Sequence, residues 1–267
     1  MIGTNWDDLK PRVLSGIVMA VVGAGAVWAG GYWFMALIAI SNGLMVWELV
    51  RMVAPEQTEA PVQLGIMAFL AVVLSALLPA LYSAPLLLAP IVVGLGMLKT
   101  NRILFAPYAI LILLAGYGFI QLRQDFGLIW MLWLIAVVAA TDTAGYIAGR
   151  IIGGPKFWPK ISPKKTWSGT IAGWIAAAGV GYCFYRFGGL IGILPVVSVF
   201  VAFASQMGDI AESAIKRKTG IKDSSNLIPG HGGFMDRFDG MLGASTLLIA
   251  LLTIAGVHSE AILKSLW

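Results

Sequence analysis

Apolar runs about as long as a bilayer crossing, separated by short polar interruptions, recur through the whole 267-residue chain. Measured against a span of about 20 residues, they fall at 13–29, 32–50, 62–81, 84–98, 103–121, 126–148, 170–185, 190 to about 207, and 241–258. The pattern predicts an all-α, polytopic integral membrane protein with about nine transmembrane helices. The first two runs form a hairpin about Gly30 and Gly31. The second follows at once, without a small-residue cleavage site, so the first reads as a retained helix and not a signal peptide. Residues 1–125 read as a transmembrane scaffold of about five helices. Residues 126–267 read as the region that carries the polar chemistry, with polar loops at 150–169 and 208–240, all within one membrane unit. Neither a tandem repeat nor a low-complexity tract interrupts this order.

Composition agrees with the pattern. The chain is 59% hydrophobic and 12% charged, with a mean hydropathy of +0.86, whereas soluble domains carry roughly 25% charged residues. Its single cysteine, Cys183, excludes an intrachain disulfide or a thiol metal cluster and is expected to pack in an apolar interior. A net charge of +5 raises nucleic acid as a partner, but no basic helix or aromatic-studded basic patch appears, so none is expected. The basic residues instead report orientation. Of 18 Lys and Arg, five lie in 150–165 and five in 216–237. With nine spans and a cytoplasmic N-terminus, both loops, Lys10, Arg12, Arg51, Lys99 and Arg102 face the cytoplasm, leaving only Arg123, Arg186 and Lys264 outside.

The polar residues cluster in three stretches. In "AATDTAGYIAGRIIGG", Asp142 sits late in the sixth span, where a carboxylate is costly without a partner, an ion or water. Gly145, Gly149 and Gly153 repeat every four residues, a spacing that permits close helix packing. In "GGPKFWPKISPKKTWSG", positive-inside bias accounts for many of the lysines, yet Ser162 and Thr166 flank Lys164 and Lys165 and could add hydroxyl donors to a phosphate site. It is not a Walker loop. In "SQMGDIAESAIKRK", a continuing helix would put Ser205, Asp209, Glu212, Ser213 and Lys216 on one side. Downstream come Asp223, Asp236 and Asp239, with glycines in "PGHGG" that let backbone amides approach an anion. Carboxylates suit a hard cation such as Mg²⁺. Asp209, Asp236 and Asp239 are the leading ligands, with Asp223 upstream. Carboxylates and lysines together fit phosphoryl or nucleotidyl transfer, in which charge spreads over phosphate oxygens.

At these residues the chain resembles the phosphatidate cytidylyltransferases, also called CDP-diacylglycerol synthases. Ser213, Lys216, Arg217, Lys222, Asp223, Pro229, His231, Gly232, Gly233, Asp236, Arg237, Phe238 and Asp239 match that family's signature in register, and "GDIAES" and "SPKKTWSG" look like it too. Ser168 departs from the glutamate that many members carry, so any carboxylate role is absent there. The resemblance implies Mg²⁺-dependent reaction of CTP with phosphatidate to give CDP-diacylglycerol and pyrophosphate. It assigns catalytic roles to Lys165, Lys216, Arg217, Asp236 and Arg237. Together with the reading of the loops themselves, it gives Ser162, Lys164, Thr166, Ser213, Lys222, Asn226, His231, Gly232 and Gly233 as expected substrate contacts. Asp142 is added as a further candidate for the metal site, and a second cation is compatible with the set. The expected partners are CTP, phosphatidate and membrane lipids, with a homodimer as a further candidate; the small-residue faces point to helix association and do not count subunits. The expected location is the inner (plasma) membrane of a bacterium. A CTP-using lipid-alcohol kinase is the nearest alternative, but the full signature argues against it. An ion-coupled transporter would distribute charge along a pathway through both halves, and here it is one-sided.

Overall fold

The computed structural model describes residues 6–257, with side chains from Pro11 onward. His258, the end of the ninth run, and the side chains of Lys10 and Lys264 in the charge count lie outside the described residues. Every predicted run corresponds to a helix: α1 (Trp6–Ala29), α2 (Gly31–Val53), α3 (Ala60–Leu77), α4 (Ser83–Met97), α5 (Arg102–Gln121), α6 (Leu128–Ile151), α7 (Trp167–Gly188), α8 (Leu194–Thr219) and α9 (Met235–Ile254). The protein is an all-α polytopic membrane protein. A small antiparallel hairpin, β1 (Lys156–Trp158) and β2 (Ser162–Thr166), occupies the polar segment between α6 and α7. Among the described helices, eight are long and apolar enough to cross a membrane. The exception is α7, whose glycines, tryptophans and tyrosines dilute its hydropathy. Its 22 residues still extend about 33 Å, enough to span the hydrocarbon core.

The chain forms two compact units, Met1–Leu113 with Lys218–Phe238, and Leu114–Arg217 with Asp239–Trp267. In the first, α3 packs on both α2 and α4. The approach of α2 and α3 is close because Gly43 and Gly65 face each other. A Cβ on Gly65 would lie 2.9 Å from the Gly43 carbonyl oxygen. The buried side chains of Val46, Leu49, Leu64 and Val72 fill this layer. Polar side chains tie the loops at one end of it. Asn101, at φ 46°, donates from Nδ2 to the Val53 carbonyl at 2.9 Å, and Lys99 N donates to Gln57 Oε1 at 2.8 Å. Asparagine tolerates that left-handed conformation better than most residues.

In the second unit, α6 and α7 share the most extensive helix contact. Small residues make it possible. A Cβ on Gly169 would stand 2.5 Å from the Gly145 carbonyl oxygen, one on Gly149 would stand 3.0 Å from Thr166 Oγ1, and one on Gly173 would stand 3.1 Å from the Thr141 carbonyl oxygen. Gly145 and Gly149 are thus packing residues. Gly153 is not part of their face, because α6 ends at Ile151 and Gly153 and Gly154 take φ values of 65° and 97° in the turn beyond it. Inside the same unit, buried Trp133 donates from Nε1 to Ser198 Oγ of α8 at 2.9 Å. Cys183 departs from its expected interior position and is exposed on α7. The tyrosine-rich turn around it, with exposed Tyr182 and Tyr185, forms an outer face of that helix.

Candidate active site

The second unit concentrates its charge where α8 meets α9. The α8 helix continues past its apolar stretch to Thr219, so Asp209, Glu212 and Lys216 follow one another at helical spacing. Backbone-to-backbone packing sets the distance between the two helices. A Cβ on Gly208 would collide with the Asp239 carbonyl oxygen, and one on Gly243 would collide with the Ala204 carbonyl oxygen. Without those methyl groups, Asp239 on α9 reaches the carboxylates of α8. One oxygen from each of Asp209, Glu212 and Asp239 lies within 4.8 Å of the other two. Gly243→Ala should therefore force α8 and α9 apart, at a cost of about 1–3 kcal/mol for overpacking. A lower thermal midpoint in detergent together with reduced activity is the expected outcome.

Cations surround this acidic group within the same unit. Lys165 Nζ stands 2.5 Å from Asp209 Oδ2 and also donates to the Gln206 carbonyl at 3.3 Å. Lys216 pairs with Glu212 at 2.9 Å, and Glu212 is only 1% exposed. Asp142 on α6 interacts electrostatically with both Asp209 and Lys165. The hairpin explains why Lys165, and not Lys164, turns inward. Successive residues of a strand point to opposite sides, so Lys164 is exposed while Lys165 is half-buried. Strand β2 ends in buried Thr166, whose Oγ1 caps α7 by accepting from Gly169 N at 3.2 Å. Ser168 donates to the Gly153 carbonyl at 2.5 Å and shares a hydrogen bond with Thr166, closing the base of the hairpin.

The first unit holds the segment between α8 and α9 in a defined conformation. Ile228 N donates to the Gly232 carbonyl and His231 N to the Ile228 carbonyl, each at 2.9 Å, giving a tight turn through Gly230 and Gly232 at φ 74° and 85°. That left-handed conformation strongly favours glycine. Asp236 anchors the turn to the chain on either side of it: its Oδ2 accepts from Ser224 N at 2.8 Å, Ser224 Oγ at 2.9 Å and Gly233 N at 2.9 Å. Arg237 Nε donates to the His231 carbonyl at 3.0 Å. Helix α1 supplies two more ties. Arg12 Nε donates to the Gly230 carbonyl at 2.7 Å, and Ser15 Oγ lies 2.8 Å from His231 Nδ1 and donates to the Pro229 carbonyl at 2.9 Å.

Glu48 on α2 is a site residue that sequence reasoning missed. It is fully buried and accepts from Ser225 Oγ at 2.5 Å, Phe234 N at 2.7 Å, Met235 N at 2.7 Å and Ser224 Oγ at 3.1 Å. Its carboxylate therefore caps the N-terminus of α9, where amide donors and the helix dipole favour an anion. A Cβ on Gly233 would meet Glu48 Oε1 at 2.6 Å, so only glycine leaves room there. A lone glutamate in the otherwise apolar "LMVWELV" was the available signal.

The structure thus brings Asp209, Lys165, Lys216 and Asp239 together with Glu212 in the second unit. It gathers Lys222, Asp223, Asn226, His231, Gly232 and Arg237 around one cavity in the first. Asp236 and Gly233 belong to the hydrogen-bonded framework beside that cavity. Ser162 and Ser213 are half-buried on β2 and α8, and Arg217 is exposed near the end of α8.

Three carboxylate oxygens at this spacing match the donor set of a hard divalent cation such as Mg²⁺, which takes oxygen ligands at about 2.0–2.1 Å. The sequence model of the cytidylyltransferase family matches residues 10–255. A phosphatidate cytidylyltransferase of Brucella suis is 36% identical over 255 residues, covering 91% of this chain and 92% of that protein. One from Bacillus subtilis is 31% identical over 269 residues, covering 92% and 98% respectively. Another, from Staphylococcus haemolyticus, is 39% identical over 171 residues, covering 61% of this chain and 65% of that protein. A match of this length, in a polytopic helical chain whose signature residues gather around two polar sites, means that the chain belongs to the cytidylyltransferase family.

Proposed function

We propose that the protein catalyses the reaction of CTP with phosphatidate to give CDP-diacylglycerol and pyrophosphate, with Mg²⁺ held by Asp209, Glu212 and Asp239. The observation that carries this reading is the convergence of those three carboxylates beside Lys165, which suits a metal-bound polyphosphate. When bound, the cation neutralises negative charge as it spreads over the phosphate oxygens. The phosphatidate phosphate is already ionised near neutral pH, because the second pKa of a phosphomonoester is about 6. One of its oxygens attacks the α-phosphorus of CTP, the bond from that phosphorus to the oxygen bridging the β-phosphorus breaks, and pyrophosphate leaves. No proton must be removed, so no general base is required. His231, whose Nδ1 is engaged with the Ser15 hydroxyl, acts as a phosphate contact.

In the second unit, Lys165, Lys216 and Arg217 balance the charge of the nucleotide and of departing pyrophosphate, with Lys164, Ser162 and Ser213 as outer contacts. Thr166 contributes through the α7 cap. In the first unit, Lys222, Asn226, His231, Gly232 and Arg237 contact phosphate. Asp236 fixes the loop that carries them. Asp142 in the second unit and, separately, Asp223 in the first are each candidate cation ligands. The basic loops orient both polar regions toward the cytoplasm of a bacterial inner membrane, where CTP arrives from water and the lipid headgroup from the bilayer.

The test is pyrophosphate release by the purified full-length protein supplied with CTP and Mg²⁺. Release should require phosphatidate and match CDP-diacylglycerol formed mole for mole. Release supported equally well by diacylglycerol would overturn the assignment of the acceptor.

A further inference from the structure

The cavity of the first unit includes a residue that the family signature does not contain. It encloses about 460 Å³, within the range of small-ligand sites. Besides Lys222, Asp223, His231 and Arg237, it is lined by Arg12 from α1. Three cationic side chains face one carboxylate there, a surplus of two positive charges. A phosphomonoester carries about −1.5 to −2 at pH 7, so the charge matches one terminal phosphate. A nucleoside triphosphate carries more charge and is ordinarily handled with a metal.

The helix that brings Arg12 points to the source of that phosphate. Within the span Pro11–Ala29 of α1, only 6% of an 18-residue stretch is buried. Val13, Leu14, Ile17 and Val18, directly after Arg12, are each more than half exposed. In a membrane protein such a surface meets acyl chains. The arginine sits at the polar end of this apolar face, with its Nε fixed by the Gly230 carbonyl. That arrangement presents a guanidinium where an acyl-bearing phosphate would leave the lipid phase.

We propose that this cavity is the binding site for the phosphomonoester headgroup of the lipid substrate, and that Arg12 is one of its phosphate ligands. The proposal rests on the reaction given above, but it can fail separately. The full-length protein in detergent is titrated with short-chain phosphatidate, without CTP or divalent cation, and binding is read from the thermal midpoint. Diacylglycerol of the same chains, and a separate titration with CTP and Mg²⁺, serve as comparisons. Saturable stabilisation by phosphatidate but not by diacylglycerol is expected. Arg12→Gln should weaken it about tenfold or more while leaving the response to CTP unchanged. Arg12→Lys, which keeps the charge but loses the Nε tie to Gly230, should stay within a few-fold of the parent. Lys222→Gln reads the same cavity should Arg12→Gln fail to fold, and should also weaken phosphatidate selectively.

Unchanged phosphatidate binding in a folded Arg12→Gln protein would overturn the proposal. So would a selective loss of the CTP response, which would assign the cavity to nucleotide. Equal losses in the Gln and Lys variants would also overturn it, leaving Arg12 only a tether of the loop. A parent that binds phosphatidate through Arg12 yet forms no CDP-diacylglycerol would keep the cavity and remove the reaction. An active parent indifferent to Arg12 would do the reverse.

Discussion

Asp239→Asn is expected to lower cytidylyl transfer by about 10²–10³-fold, the range seen when a preorganised electrostatic contact is lost from an active site. Asp239 is the carboxylate that α9 contributes to the cluster, and without it Asp209 and Glu212 remain on α8 alone. The half-saturating Mg²⁺ concentration should rise at the same time. Stability should move the other way. Three carboxylates within 4.8 Å of one another repel in the absence of cation, so the amide should leave the metal-free thermal midpoint unchanged or raise it. Activity and metal response, measured beside that midpoint, separate the two roles. A variant that loses stability and activity together, with unaltered Mg²⁺ dependence, would make Asp239 a packing residue.

The second large effect is expected at Glu48. Glu48→Ala leaves two hydroxyls and two amide N–H groups facing an empty buried site. Removing one side of such a charged network costs about 3–5 kcal/mol, so a markedly lower thermal midpoint is predicted. Glu48→Gln keeps the shape but turns an NH₂ toward groups that already donate. It should fold, with a smaller stability loss and kcat lowered about 10–100-fold, the size of effect seen when a supporting hydrogen bond behind a site is lost. The KM for CTP should change little. Ser224 Oγ is shared between Glu48 at 3.1 Å and Asp236 at 2.9 Å. Glu48→Gln and Ser224→Ala should therefore be strongly non-additive in kcat, because residues in one network couple. Additive effects would mean that Glu48 stabilises α2 without holding the loop.

The sequence was most informative where one physical term dominates. Bilayer thickness sets the length of apolar runs, so the nine α-helices among the described residues could be located, including α7, whose hydropathy is weak. Local chemistry was also visible. Asp209, Asp239 and Lys165 sit in motifs whose residue types already suggest a polyphosphate and a cation. The α8 helix continues beyond its apolar portion, as the one-sided polar spacing implied.

Contacts between partners distant in sequence could not be read in advance. Glu48 lies 176 positions from Ser224, and Arg12 lies 218 from Gly230. Neither spacing leaves a local pattern. The β1–β2 hairpin was likewise hidden, because prolines and lysines obscure strand alternation in a segment so short. Gly208 and Gly243 resemble ordinary small residues until the helices are juxtaposed, when their missing Cβ atoms prove to set the distance between two helices. The glycine at 153 failed for the opposite reason: its four-residue spacing continued on paper after the helix had ended.

The most direct measurement uses the purified protein in mixed micelles with phosphatidate, Mg²⁺ and CTP labelled in separate tubes at the α or the γ phosphorus. Label from the α position should enter the lipid while γ label leaves in pyrophosphate. Transfer of γ label to a lipid alcohol in a parallel tube, with none from the α position to phosphatidate, would contradict cytidylyl transfer.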